Sequence, residues 1–585
     1  MRYPRLNEIS TSREMVDVFR GYNHNLRIRD GEFFDMTNLS SDSYPILSPR
    51  VKRGVYATPS KPNGIISKSN LCYIDGDYFV ICKGNAEERY RMTFNDQPKS
   101  LVSMGAYVII MPDKKYINTE DPEDRGKIEE VVEATAGVTF SPCRADGTLY
   151  EITSSDTEPE DPEGGDTWYE PKSKTLREYS STTKEWISIY NTHVLISSTD
   201  LVGKFKNGDA IKISGITTLL AKGLNDTTFP IKKLSNIQPR FIIQANLNLD
   251  YLSKDEESNT VLFERKMPEM DFIVESENRL WGCKYGINED GELVNEIYAS
   301  KLGDFRNWNY FAGISTDSYA ASVGTDGKFT GAITYLGHPI FFKENCMHKI
   351  YGNFPSNFQI QTTSCRGVQP GCEKSLAIVN ELLFYKSLTG VCVYDGSLPS
   401  EISEEFGEAR YYDAVAGNLG NKYYISMRDE HYNWHLFVYD GLKGLWHRED
   451  DTQAITYCAH KGDLYYIDYA DKIIKTIRGT GVTETNPIKW KAETGIMGTN
   501  TPDKKYISRI DVRMSLAVGA RVIISAEYDS SGEWEHLYTM AGTSLRSFAL
   551  PIRPKRCDHM RLRIEGEGDA KIFSICKTIE QGSDT

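Results

Sequence analysis

The chain has 585 residues, with 68 Lys and Arg against 82 Asp and Glu, a formal charge of −14. It is too long for one small module, and a surface that grips nucleic acid by counterion release would have to be local. Hydrophobic residues make up 39% and charged residues 26%, with 35 Tyr, 23 Phe and 8 Trp, which supplies a large core and excludes global disorder.

The opening residues, Met1 to Asn7, hold neither an apolar run nor a small-residue cleavage site, so no signal peptide is expected. Nothing in the chain approaches the roughly 18 to 20 apolar residues that span a bilayer. A soluble protein made in a cytosol, with no membrane span, is therefore expected. Eleven Cys lie mostly beside strand-like residues, as at Cys72, Cys392 and Cys576. They read as buried thiols in a reducing compartment.

One weak helical set, Met15, Val16, Val18 and Phe19, is the longest of its kind. Nearly everything else is short β-rich runs cut by Gly, Asn and Asp about every 8 to 12 residues, which predicts an all-β fold. The first such runs are Gly76-Asp77-Tyr78-Phe79-Val80-Ile81 and Gly105-Ala106-Tyr107-Val108-Ile109.

The chain then turns acidic and rich in Pro and Gly. Residues 119–171 hold 16 Asp and Glu against 3 Lys and Arg, which is −13 of the −14. The densest stretch, 156–166, contains Asp156, Glu160 and Asp161; it lacks the Asp-x-Asp-x-Asp-Gly order of a calcium loop and reads as a solvated linker. Runs around Trp168, Leu176 and Trp186 predict a small antiparallel meander, and residues 209–246 add strands. The insert is placed at 119–246.

After it the turn-then-aromatic phrase returns around Leu280 and then at Ile340, Leu383, Tyr423 and Tyr465, in steps of 43, 40 and 42 from Ile340 onward. A second phrase keeps the same register: Val393-Tyr394-Asp395-Gly396 recurs as Val438-Tyr439-Asp440-Gly441, 45 residues later. Several short strands at a period of about 40 to 45 define β-propeller blades, although the Gly-His and Trp-Asp marks of WD40 repeats are missing. Six or seven blades are expected from 54–118 and 247–481, after an N-terminal arm at 1–53. Residues 485–585 leave the period and alternate strictly, as in Tyr506 to Met514 and Met560 to Ile564. That pattern predicts a C-terminal β-sandwich. Its wet faces carry Arg509, Arg513, Arg561 and Arg563, yet the segment balances 15 basic against 13 acidic residues.

Phosphate-binding loops of the Gly-x-x-x-x-Gly-Lys-Ser/Thr type, His-Glu-x-x-His, Gly-x-Ser-x-Gly and Cys-x-x-Cys are absent. His431 and His435 have the i, i+4 spacing of a metal pair, but between strand-like runs that spacing separates them by about 13 Å. Gly164-Gly165-Asp166-Thr167-Trp168 matches only the tail of a sialidase Asp-box. No catalytic, cofactor or metal residue is assigned and no enzyme is expected. Trp168, Trp186, Asp156, Glu160 and Asp161 are the candidate partner contacts, and a glycan-binding propeller, or less so a propeller glycoside hydrolase, is the competing reading.

The arm 31–50, from Gly31-Glu32-Phe33-Phe34 to Ser48-Pro49-Arg50, together with the blade 329–352 and its continuation through Val393-Tyr394-Asp395-Gly396, resembles the β-propeller hub or nozzle proteins of short-tailed bacteriophages, the packaged-DNA stabilisation type. The likeness is good over 265–480 and weaker over 1–118; the insert has no counterpart. It implies a structural virion protein of the tail, a homo-oligomeric ring of six copies. Its partners would be a head-to-tail adaptor and tail fibres or spikes, and DNA would pass without tight binding. The resemblance carries no site residues.

Overall fold

In the computed structural model the repeated phrase forms a hairpin. Chain positions 11–581 are described, except 85, 136, 234–239, 253–255, 289–290, 480–481, 499–503 and 551–555; Met1 to Asn7 lie outside. The pairs Glu277-Asn278, Leu336-Gly337, Asn380-Glu381 and Lys461-Gly462 all have positive φ, the geometry of a two-residue turn whose twist matches antiparallel strands. The aromatics after each turn form the second strand of a blade, as in His338–Lys343, Leu382–Lys386, Lys422–Asp429 and Asp463–Asp468.

Seven antiparallel blade sheets result, six of four strands and the last of five, starting with Pro62–Ser67, Ser100–Met104, Phe272–Ser276, Phe329–Tyr335, Ala377–Val379, Tyr411–Leu419 and Ala454–His460. First strands touch around the circle, with the turn Glu373–Ser375 making the contact between the fourth and fifth blades, and Ala454–His460 returns to Pro62–Ser67. The chain is therefore a seven-bladed propeller. Its last blade takes its fourth strand from Gly54–Ala57, which pairs with Ile474–Thr476 and, on its outer side, with Val482–Thr483. The first blade departs from the expected register: Tyr78–Lys83 is its third strand, not its second, because two adjoining hairpins there carry similar residues.

Between the second and third blades lies an all-β insert. Its entry strand Glu130–Ala134 pairs with its exit strand Val261–Arg265, so the excursion leaves and returns at one place. The strand Arg125–Lys127 still completes the second blade, and the exit strand lies beyond residue 246. The acidic segment 119–171 is thus divided between a blade edge and the insert rather than forming one appendage. Buried Asp209 fixes the insert to the third blade, ion-paired with Arg265 and bonded by Asn307 Nδ2 at 3.2 Å.

The C-terminal segment forms a β-sandwich that also takes in the arm and Lys489–Thr494. One layer runs Thr11–Val16, Ala570–Gln581, the first half of Lys505–Tyr528, then the second half of Glu535–Ala549. The other runs Gly21–Tyr22, Glu32–Thr37, Lys489–Thr494, Met560–Glu567, then the remaining halves of the same two long strands. The crossing between layers is the bulge 517–520, where Gly519 has φ +84° and a Cβ on Gly542 would stand 3.0 Å from the Ala517 carbonyl. Met15 and Val16 lie on a strand, not a helix; pairing with Ala570–Gln581 decides that segment.

The arm seals sandwich to propeller. Phe19, Tyr22, Phe33 and Met36 join one apolar core with Phe384, Tyr423 and Trp446 of the blades and Val512, Ile524 and Ile564 of the sandwich. Gly21 passes so close to the sixth blade that a Cβ would stand 2.1 Å from the Trp446 carbonyl oxygen, at φ +86°. Only glycine fits there without a shift of backbone.

Candidate functional site

Three places bring polar chemistry together: the propeller axis, the seam under the arm, and the meander. At the axis the first strands diverge around a cavity of about 450 Å³ whose wall includes Lys99, Asp271, Glu373, Lys374 and Tyr457. Lys99 is sealed by an ion pair with Asp113 at 2.6 Å. Asp271 accepts from the Tyr285 backbone N–H at 2.9 Å and lies 3.4 Å from Lys284. Lys374 donates to the Ile455 carbonyl at 3.1 Å, and burial pushes its amine below the usual lysine value. Among the described residues neither Glu373 nor Lys374 has an ion-pair partner. The axis thus offers one amine and one carboxylate to a small polar guest. Little in the residue pattern points to them, because Cys372-Glu373-Lys374-Ser375 sits in the short turn before a first strand.

Beneath the arm, Arg53 is enclosed by Glu449 at 2.8 Å, Asp450 at 2.7 Å, the Thr452 hydroxyl at 2.5 Å and Tyr466 OH at 3.3 Å. Arg50 reaches Glu484 at 2.9 Å and Asp450 at 3.6 Å. Burial raises the Glu449 carboxyl above its ordinary value despite Arg53. The same burial acts on Asp450, but Arg53 and Arg50 together outweigh it and hold that carboxyl low. Asp35 of the arm is held low in the same way: Lys491 of the sandwich at 2.5 Å and Arg448 of the sixth blade at 2.9 Å overcome its burial. Their charges are matched by one another, though Arg53 Nε and Arg448 Nε make no hydrogen bond among the described residues, so the seam is a fastening.

The meander forms as Thr167–Glu170, Thr175–Ser180 and Glu185–Ile189, with a parallel edge strand Ile152–Ser154. Trp168, expected as an open contact, is only 4% exposed. Its indole N–H donates to the Ser155 carbonyl at 2.9 Å and Arg177 lies 4.8 Å over its ring, so the acidic loop covers it. Trp186 is half-buried and meets Trp168 and Tyr179 edge-on at 5.5 and 5.3 Å. The two Trp residues pack the module instead of forming a platform. Asp156, Glu160 and Asp161 are exposed, with Asp156 3.3 Å from Lys172.

His431 lies in a turn while His435 bonds Asp429 at 3.0 Å. Among the described residues no group of three His, Cys, Asp or Glu could hold a metal, and no helix is long and apolar enough to cross a membrane. The sandwich arginines are largely neutralised: Arg509 by Asp511 at 2.8 Å, Arg561 and Arg563 by Glu493 at 3.1 and 3.0 Å.

Fold and seam together define a β-propeller scaffold carrying an inserted β module and a terminal sandwich. No family model and no curated protein matches the chain. Among solved structures, the exo-β-1,3-galactanase of Phanerochaete chrysosporium is 8% identical, with 52% of this chain and 94% of that one covered and a TM-score of 0.20. The β-propeller domain of the Trilobed protease from Pyrococcus furiosus is 9% identical, over 74% and 97%, with a TM-score of 0.26. Apo AztD from Citrobacter koseri is 11% identical, over 70% and 94%, with a TM-score of 0.26. Likenesses this slight carry no argument about function.

Proposed function

We propose that the chain is a structural subunit of a bacteriophage tail, of the hub or nozzle type, acting in the virion as a homo-oligomeric ring. The supporting observation is the arm: residues 31–50, which share in the weaker part of the family resemblance, fasten sandwich to blades through Phe33, Asp35 and Arg50. A propeller so braced suits a part that bears force. The axial cavity of about 450 Å³ cannot admit a duplex whose major groove alone is about 12 Å wide. DNA would therefore run between copies, past surfaces where Arg509, Arg561 and Arg563 are already paired, which limits friction from phosphate contacts. An adaptor and tail fibres are the expected neighbours. Immunogold labelling of tailed particles from a host that expresses the protein tests this: label on the tail supports it, and particles free of the protein overturn it.

A second reading rests on the axis, where Glu373 and Lys374 face the cavity without ion partners. Here the protein would bind a glycan or hydrolyse one, with Glu373 as the unpaired carboxylate and Asp271, held beside Lys284, as the second acid that hydrolysis would need. Reducing-sugar release from polysaccharides, abolished by Glu373→Gln, would favour hydrolysis; saccharide binding without turnover would favour recognition.

A further inference from the structure

The sandwich layer that starts with Thr11–Val16 has two free edges. One is Thr11–Val16, whose only strand neighbour among the described residues is Ala570–Gln581; the other is Glu535–Ala549, whose only one is Lys505–Tyr528. We propose that these edges are the two halves of a contact between copies of this chain: Thr11–Val16 of one copy adds to residues 543–549 of the next, so that the layers of successive copies run on as one sheet. This deepens the ring reading and rests on it only in requiring that like copies meet.

Strand direction supports the pairing. The layer has four strands, each antiparallel to its neighbour, so its first and last strands run in opposite directions. When a second copy continues the layer in the same orientation, its first strand therefore meets the last strand of the first copy antiparallel, the stronger ladder. An odd number of strands would have forced a parallel join.

Side-chain alternation supports it too. Residues opposite one another in a ladder point to the same face. Following the register Met15 to Cys576 to Asp511 to Ala549 places Met15 on the same face as Ala549 and Ser547, and Leu545 stands just beyond them, where the register shifts between Met514 and Leu516. Met15 is 62% exposed and Leu545 57%. Each is a large apolar side chain standing at its own edge, and the join brings the two edges together.

The edges also lack the devices that keep sheets apart. Residues 541–549, Ala-Gly-Thr-Ser-Leu-Arg-Ser-Phe-Ala, hold one charge and no proline or lysine, whereas solitary edge strands are normally guarded by such residues. On the opposing edge, Glu14 is paired with Lys577 at 3.0 Å and Arg13 with Asp511 at 3.7 Å within their own copy. The join therefore traps no unpaired charge from that strand. Because the two edges differ, the contact is head-to-tail, the kind that builds rings or filaments rather than closed two-fold dimers.

The test uses the full chain with two surface variants, Met15→Glu and Leu545→Glu, each exposed and so expected to leave the melting temperature unchanged. Mass is read by sedimentation and light scattering up to about 100 μM, the range of a weak contact. The expected result is concentration-dependent growth beyond a dimer for the parent chain and monomers for each variant alone. An equimolar mixture should stop at a dimer, because each variant retains one sound edge and only one join can form. A parent chain that stays monomeric, growth that survives either substitution, or a variant that dimerises by itself overturns the proposal. Solution assembly is read independently of whether the protein occurs on virions, so failure of one leaves the other intact.

Discussion

Replacing Arg53 with leucine should strike the seam where it has least slack. Arg53 is 5% exposed and Glu449 3%, and the guanidinium is the closest cation to Glu449, 2.8 Å away. Asp450 would keep Arg50 at 3.6 Å, so the group left stranded is Glu449. Breaking a buried pair from one side costs about 3 to 5 kcal/mol. At about 1.4 kcal/mol per factor of ten, that corresponds to a loss of protection of roughly one hundred-fold to several thousand-fold. Hydrogen exchange of peptides covering residues 447–453 and 48–53 reads the local opening without requiring the whole chain to unfold as one unit. The pH dependence has a definite sign. Glu449 already titrates high in the folded chain because of burial, and losing Arg53 raises it further, so the penalty is full above that value and shrinks as pH falls through it. Adding Glu449→Leu should restore most of the protection, since an apolar pair of similar size is tolerated where half an ion pair is not. A single-variant loss under tenfold, or one equal at pH 5 and pH 8, would refute the reasoning.

Trp168→Ala should cost about 3 to 5 kcal/mol within the insert alone, seen as faster proteolysis at the 155–166 loop with an unchanged melt of the propeller; equal loss in both would contradict the separate insert core. Glu257 is lowered to about 2, because hydrogen bonds from Thr218, Asn259 and Thr217 overcome its burial. Its contribution is present above the ordinary glutamate range and lost as pH falls toward 2. Glu257→Gln should therefore weaken the insert at pH 7 and hardly at pH 2, by exchange at residues 215–218. Burial pushes Cys143, Cys365 and Cys372 up to about 11 and Cys72 and Cys458 up to about 12. At pH 8 the buried thiols Cys72, Cys143 and Cys372 should resist a disulfide reagent until denaturant is added, when all eleven cysteines react; their fast reaction in the folded protein would argue against that burial.

The propeller was legible because hairpins repeat: a turn that opens on a positive-φ residue and an aromatic second strand return every 40 to 43 residues from Ile340 to Tyr465. The same rule slipped in the first blade, where Tyr78 belongs to the third strand, since local pattern does not number strands. Long-range pairing escaped the sequence altogether. Nothing in Thr11–Val16 specifies Ala570–Gln581 as its neighbour, and nothing in Gly54–Ala57 announces the blade that ends near residue 476. The candidate site was read less well than the fold: Trp168 carries the composition of a contact residue, and only its burial under Ser155 shows it to be packing. Glu373 and Lys374 carried no motif, and their interest comes from the cavity they face.

The ties between distant ends also order events in time. Gly54–Ala57 leaves the ribosome early and must wait for Ile474–Thr476, and Thr11–Val16 must wait for Ala570–Gln581. The ring of blades can close once residues 474–476 are made, but the layer that bears both free edges must wait for 570–581. On the proposed head-to-tail contact, a chain cut between those two points would hold a closed propeller and still lack the edge it needs to meet a second copy.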